Sequence, residues 1–371
     1  MFFKILNTDG ESSARTGLIK TQHGVIKTPV FMPVATTGTV KALIPELLLN
    51  SGAQIILGNT YHLFLRPGLK VIQQFKSLHH FMSWRRPILT DSGGFQIFSI
   101  RENAKVILEG VTFKSHIDGQ KLFLSPEKVV DIQNILGSDI QMVLDFFNPH
   151  PSTRAKDKKA LTITHNWAKR ARQHFLKTNQ SNAQFAIIQG GLFEGLRKSS
   201  LETLTTMDFE GYGIGGLSVG ETQSEFLKIL SFLLPMMPEE KPRYLMGSGT
   251  PEDIILAVEK GVDMFDCVLP SRNARNGTLF TSRGKLVIKN ERYKYDIRPP
   301  DPDCLCHTCK NFSRAYLRHL YLSKEISSAI LNTIHNLTFY LDFMFKIRYA
   351  INQFNFRIFK EKFLSLYKKG V

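Results

Sequence analysis

Eight short apolar runs recur along the chain, and most break at their C-terminal end into small or polar residues; no other feature restricts the fold as much. They are Val30–Val34, Gln54–Leu57 before Gly58-Asn59-Thr60, Ile88-Leu89 before Thr90-Asp91, and Ile140–Leu144 before Asp145. Phe185–Ile188 before Gln189, Tyr212–Ile214 before Gly215-Gly216, Tyr244–Met246 before Gly247, and Met264-Phe265 before Asp266 complete the set. Uninterrupted apolar runs of this length read as strands buried on both faces, as parallel sheets require. Helical stretches separate most of them. Ser125-Pro126-Glu127 opens one to Leu136 and Thr250-Pro251-Glu252-Asp253 opens another to Lys260, each with a capping hydroxyl and Pro at the first helical position. Eight such alternations in roughly 240 residues match an α/β (β/α)₈ TIM barrel, with a doubly wound sheet as the alternative. A barrel gathers its chemistry where strands end at the C-terminal face, and there this chain concentrates its polar residues.

Two segments fall outside the alternation. Val106–Leu124 alternates around Asp118-Gly119 and reads as a β-hairpin inserted between the third and fourth strands. After the last run the character changes, so the expected organisation is a catalytic barrel over 1–280 and a zinc-binding subdomain with C-terminal helices over 281–371. The zinc assignment rests on Cys304, Cys306 and Cys309, crowded into a CxCxxC knuckle, with His335 on an apolar-periodic helix downstream. Three thiolates and an imidazole satisfy a tetrahedral structural Zn²⁺ site. His307 and His319 are competing ligands, the first crowded inside the knuckle and the second beside the basic stretch from Arg314 to Arg318.

The chain carries 48 Lys and Arg against 32 Asp and Glu, a formal charge of +16. Such an excess draws a protein to polyanions, and nucleic acid is the expected one. It is concentrated in residues 271–300, where eight basic residues face only Glu291 and Asp296, and in 341–371, where seven face Asp342 and Glu361. No apolar run reaches membrane-spanning length and the first residues lack the apolar core of a signal peptide, so no membrane association and a cytoplasmic location are expected.

Three aspartates stand at strand ends: Asp91, Asp145 and Asp266. A carboxylate there is partly desolvated, which raises its pKa and suits it to proton transfer or to attack on an anomeric carbon. Taken singly, each could equally be a turn residue capping the next helix. Together, and beside Gln189, Gly216 and a basic segment, they point to chemistry at a sugar's anomeric carbon, with one carboxylate as nucleophile and another moving the proton.

These residues sit in words that, in order, resemble the bacterial-type tRNA-guanine transglycosylases over nearly the whole chain. The words are Thr28-Pro29-Val30-Phe31-Met32-Pro33-Val34, Leu57-Gly58-Asn59-Thr60-Tyr61-His62-Leu63, Leu89-Thr90-Asp91-Ser92-Gly93-Gly94-Phe95-Gln96, Ile188-Gln189-Gly190-Gly191, Gly215-Gly216-Leu217-Ser218-Val219-Gly220-Glu221 and Phe265-Asp266-Cys267-Val268-Leu269-Pro270. The resemblance implies exchange of guanine at wobble position 34 of tRNAs with GUN anticodons for 7-aminomethyl-7-deazaguanine, by double displacement. It implies Asp266 as the nucleophile, Asp91 as the proton acceptor and donor, and a purine site made by Asp91, Ser92, Gly93, Gly94, Phe95, Asp145, Gln189, Gly216 and Leu217, with Tyr244 and Met246 flanking the base. Gly247, Ser248, Gly249 and Thr250, with Ser271, Arg272, Asn273, Ala274 and Arg275, would contact the anticodon stem-loop. One structural zinc, no organic cofactor and a homodimer are implied as well, with the Phe-rich helix from Ile326 toward Tyr349 as one candidate surface.

The chain departs from the family pattern at Phe146-Phe147, where Glu-Cys is usual, and at Ala35, where Gly is usual. Val219 favours the small aminomethyl base over finished queuine, while Phe147 puts a ring in place of a small pocket residue. Two other functions share the same features: a non-catalytic tRNA-binding subunit, which would be expected to lack Asp266, and a barrel hydrolysing a small nucleoside, which would act on free guanosine.

Overall fold

The computed structural model describes residues 1–99, 104–178 and 182–370. An antiparallel sheet comes first, formed by β1 (Phe3–Thr8), β2 (Arg15–Thr21) and β3 (Gly24–Thr28). Phe2 packs edge-on against Phe185 of the barrel, and buried Arg15 pairs with Asp263 at 2.6 Å. Asp263 immediately precedes the last barrel strand, so this sheet is tied to the N-terminal end of the barrel.

The eight apolar runs all become barrel strands: β4 (Val30–Ala35), β5 (Ile56–Gly58) and β6 (Ile88–Thr90), then, after an insertion containing β7 to β9, β10 (Ile140–Met142), β11 (Ala183–Ile188), β12 (Gly211–Ile214), β13 (Arg243–Leu245) and β14 (Met264–Cys267). Each pairs in parallel with its neighbours, and β14 returns to β4 with Asp266 opposite Met32. A doubly wound sheet would leave two free edges; pairing of the last strand with the first makes this a closed (β/α)₈ barrel. The capped helices form as expected over Pro126–Leu136 and Pro251–Glu259, with Ser125 and Thr250 accepting from the main-chain N–H groups of Lys128 and Asp253.

The insertion is larger than a hairpin. It is a three-stranded antiparallel sheet of β7 (Lys105–Ile107), β8 (Gly110–Lys114) and β9 (Lys121–Leu124), with the Asp118-Gly119 turn joining the last two. Beyond the barrel, β15 (Thr278–Thr281) and β16 (Gly284–Val287) form an antiparallel ribbon. Helices His307–Asn311, Arg314–Leu322, Ile326–Asn352 and Phe356–Lys369 follow. The long helix contributes Leu337, Tyr340, Met344 and Ile347 to the same buried cluster as the barrel strands, while Leu279, Leu286, Ile288 and Leu317 form a second, smaller core. No described helix is long and apolar enough to cross a membrane.

Candidate active site

A cleft of about 480 Å³ opens where the barrel strands end. The polar residues predicted at strand ends converge on it: Asp91 directly after β6, Asp145 after β10, Gln189 after β11, Gly215 and Gly216 after β12, Met246 and Gly247 after β13, and Asp266 within β14.

Asp266 is held by two donors that meet on one oxygen. The Tyr244 hydroxyl donates to Oδ1 at 2.6 Å and the Gly247 N–H donates to the same atom at 2.7 Å. Charge-assisted hydrogen bonds of this kind fix the carboxylate's orientation while the second oxygen keeps its lone pairs. Burial pushes the Asp266 carboxyl up, and the two donors pull it part of the way back.

Asp91 accepts from the amide of Asn59 and from the main-chain N–H groups of Thr60 at 3.0 Å and Gly93 at 3.2 Å. The Thr60 hydroxyl also bonds the Asp91 carbonyl. Despite these donors, burial raises the Asp91 carboxyl to about 7, with the charges of Asp266 and Asp145 adding to the effect. A group poised there can both give and take a proton near neutrality.

Asp145 accepts from the Gln189 amide at 2.7 Å and faces the Ser92 hydroxyl at 3.4 Å. Burial raises its carboxyl to about 6. The approach to it is close enough to require glycine: a Cβ on Gly94 would lie 2.5 Å from Asp145 Oδ1. Among the described residues the buried Gln189 Oε1 meets no donor.

Not every predicted contact faces the cleft in the same way. Ser92, Gly94, Phe95, Leu217 and Met246 line it, with Phe95 exposed at the rim. Gly93 instead packs against Tyr61 and directs its N–H to Asp91. Tyr244, expected beside the base, also lines the cleft, and its hydroxyl is committed to Asp266. In the candidate RNA segments, Ser248, Gly249, Ser271 and Ala274 are buried and Thr250 caps the helix that follows, leaving Gly247, Arg272, Asn273 and Arg275 with accessible surface. Ser271 to Arg275 lie on a helix, Leu269–Arg275, because Pro270 fits the first helical turn. Phe147 reaches the cleft wall and stacks with Phe95, ring centroids 6.2 Å apart. Asn59 was missed as a site residue, although its place in the polar break after the second apolar run was a signal for it.

The four candidate metal ligands come together. One ligand atom from each of Cys304, Cys306, Cys309 and His335 lies within 4.8 Å of the others. His335 Nδ1 is 3.2 Å from Cys309 Sγ and 3.6 Å from Cys306 Sγ, close to the ~3.5 Å edges of a tetrahedron with arms of about 2.0–2.3 Å. His335 Nε2 lies 2.7 Å from the Phe280 carbonyl, so its proton belongs on Nε2 and the Nδ1 lone pair faces the sulfurs. The donor set therefore fits Zn²⁺. His307 and His319 are exposed and stand outside this group.

The geometry agrees with what comparison finds. The family model described as queuine tRNA-ribosyltransferase matches residues 9–369. The chain is 55% identical over 370 residues to a queuine tRNA-ribosyltransferase of Thermodesulfovibrio yellowstonii, covering 100% of this chain and 96% of the relative. It is 53% identical to that of Caldanaerobacter subterraneus subsp. tengcongensis (98% of this chain, 97% of the relative) and 52% identical to that of Francisella tularensis subsp. novicida (99% of each). On these matches the chain belongs to the queuine tRNA-ribosyltransferase family, a family of glycosyltransferases.

Proposed function

We propose that the protein exchanges guanine at the anticodon wobble position of tRNA for a 7-deazaguanine base, with 7-aminomethyl-7-deazaguanine as the incoming base, through a covalent ribosyl intermediate on Asp266. The observation that carries this reading is the convergence of Asp266, Asp91 and Asp145 on one cleft with different partners. In the first displacement the free oxygen of Asp266 attacks the ribose C1′. The C1′–O bond forms as the C1′–N9 bond breaks, and the electron pair leaves with the purine, which takes a proton from Asp91. In the second, Asp91 accepts the ring proton of the incoming base, whose nitrogen attacks C1′ and returns Asp266 as carboxylate. The ester keeps the glycosidic bond's free energy, so no organic cofactor is called for.

Asp145 offers a carboxylate to the purine's ring N–H and amino group, a pair of donors adenine does not present; Gln189 would bind the same purine edge beside it, and the Gly216 N–H would donate to the carbonyl. Arg272 and Arg275, on the helix after the nucleophile, would hold anticodon phosphates while the target nucleotide is splayed into the cleft. Cys304, Cys306, Cys309 and His335 would hold one structural Zn²⁺, and so would tie the knuckle to the long helix. In this reading residues 1–280 are the catalytic unit and 281–371 the zinc-bearing unit. The exposed Ile326, Phe345 and Tyr349 of the long helix offer an apolar face for a second copy. The enzyme works in the cytoplasm, where its tRNA substrate is.

Loading tRNA with radiolabelled guanine and chasing with unlabelled guanine or the aminomethyl base tests this. The label should wash out of tRNA and of an anticodon stem-loop, and free guanosine should be inert. Release of guanine without uptake of another base, or turnover of free guanosine, would make the protein a hydrolase instead.

A further inference from the structure

Arg197, which the mechanism above does not use, is buried and has no anionic partner among the described residues. Its side chain is 0% exposed, on the helix Glu194–Thr205 that follows the Gln189 loop. Its Nε donates to the Gly191 carbonyl at 2.8 Å, and its Nη1 to the carbonyls of Ile188 at 2.8 Å and Gly215 at 2.7 Å. Nη2 reaches the Gly216 carbonyl at 3.4 Å. All four acceptors are main-chain oxygens of the two loops that end β11 and β12, and among the described residues no carboxylate lies within ion-pairing distance.

The carboxylates that feel its charge have other partners. Asp157 accepts from Asn148 and Ser152, both at 2.9 Å, and Glu221 accepts from the N–H groups of Ser218 and Val219. Burial pulls the guanidinium down to about 10, still charged at neutral pH. A buried cation without a counter-ion is costly, and packing alone would be met by an apolar chain of similar length. Groups kept at such cost concentrate at functional sites.

The acceptors show what the charge does. The Gly215 carbonyl belongs to the same peptide unit as the Gly216 N–H. Gly216 lines the cleft with φ +63°, a left-handed conformation suited to glycine, and its N–H meets no protein acceptor among the described residues. A Cβ there would lie 2.5 Å from Gln189 Oε1. A cation donating into one end of a peptide polarises the N–H at the other end, and hydrogen bonds in such a chain strengthen one another.

We propose that Arg197 is a positioning residue for base exchange: its buried guanidinium locks the two glycine loops and, through the Gly215–Gly216 peptide, presents a strengthened N–H donor to the carbonyl edge of the departing purine. The inference rests on the reading of Gly216 as a purine contact. When the C1′–N9 bond breaks, its electron pair enters the purine and spreads to the exocyclic carbonyl oxygen until Asp91 supplies the proton. A preorganised donor aimed at that oxygen acts most strongly when the charge is present, so it raises kcat more than it tightens binding.

The test compares wild type with Arg197→Gln, which keeps donors but loses the charge, and Arg197→Lys, which keeps the charge but loses the fork. Full-length tRNA and labelled guanine are the substrates, with melting temperature and zinc content as controls. Arg197→Gln should fold and hold zinc, with kcat down by about tenfold to a hundredfold and the KM for tRNA unchanged. The covalent adduct should form correspondingly slowly, and Arg197→Lys should recover part of the loss. A folded Arg197→Gln with wild-type kcat would overturn the proposal. So would equal losses in both variants that follow their melting temperatures, or failure of both to fold, since Arg197 would then serve the fold alone. Absence of exchange by wild type would instead defeat the underlying functional reading.

Discussion

Asp91 and Asp266 share one cleft but are prepared for different work. Asp266 has both its donors on one oxygen, while Asp91 spreads its donors over two oxygens and is left near neutrality. The raised Asp91 pKa also has a signature in stability. The folded state holds this proton to about pH 7, whereas the unfolded chain releases it near the ordinary 3.8. The unfolded state binds fewer protons in that window, so stability falls as pH climbs from about 4 to about 7 and levels off above, by at most about 4 kcal/mol. In Asp91→Asn that contribution should be missing, leaving the shallower fall that the raised Asp145 and Asp266 carboxyls cause, and guanine exchange should be slow. Chemical denaturation across this pH range, with exchange assays alongside, checks both; unchanged turnover would remove Asp91 from the mechanism. Phe147 is the second residue with a specific consequence. Its ring stacks on Phe95 at the cleft wall, where the family usually has a small side chain. Phe147→Cys should preserve guanine exchange and shift the KM for the aminomethyl base several-fold, a step of about 1 kcal/mol. Identical KM values for that base would show that the ring does not shape the pocket.

At the scale of elements, the long helix Ile326–Asn352 holds the catalytic end of the barrel together. Its Asn336 accepts from the Phe280 N–H and donates to the carbonyls of Pro270 and Thr278, while Asn332 reaches the Ala274 carbonyl and the Tyr340 hydroxyl reaches that of Gly249. The Asn332 and Asn336 contacts fix the segment that follows Asp266, and the Tyr340 contact holds the loop after β13. Asn336→Ala would take this partner from the Phe280 N–H and the Thr278 carbonyl, and a loss of about 2 kcal/mol or more in stability is expected by denaturant titration. The eight barrel strands were legible because parallel strands buried on both faces read as unbroken apolar runs, and their polar breaks located Asp91, Asp145 and Asp266. β1 to β3 went unread: β1 is only alternately buried, which leaves a weak apolar signal. β7 is three residues with exposed ends and gave too little pattern to separate from a turn. Arg197 and Asn336 were illegible for a different reason. Their function lies in bonds to main-chain groups outside their own helices, and nothing in the local pattern distinguishes such an Arg or Asn from a surface one.

The whole molecule carries a formal charge of +16, an excess that would favour its encounter with tRNA. Phosphate contacts release counterions, so tRNA affinity should fall steeply and linearly on a plot of log Kd against log salt. Arg272 is exposed on the helix after Asp266. Arg272→Ala should weaken tRNA binding and flatten that slope by about 1, with the KM for guanine unchanged. An unaltered slope would place the phosphate contacts elsewhere on the basic surface. Beyond binding, the proposed chemistry requires Asp266 to become esterified to ribose while one purine is replaced by another. Incubating the enzyme with anticodon stem-loop RNA, resolving the mixture by denaturing electrophoresis and mapping the adduct by peptide mass spectrometry reads this directly. An RNA-linked band should appear with wild type, map to Asp266, disappear when excess purine base is added, and be absent from Asp266→Asn. An adduct on another residue, or guanine exchange persisting in Asp266→Asn, would contradict the account.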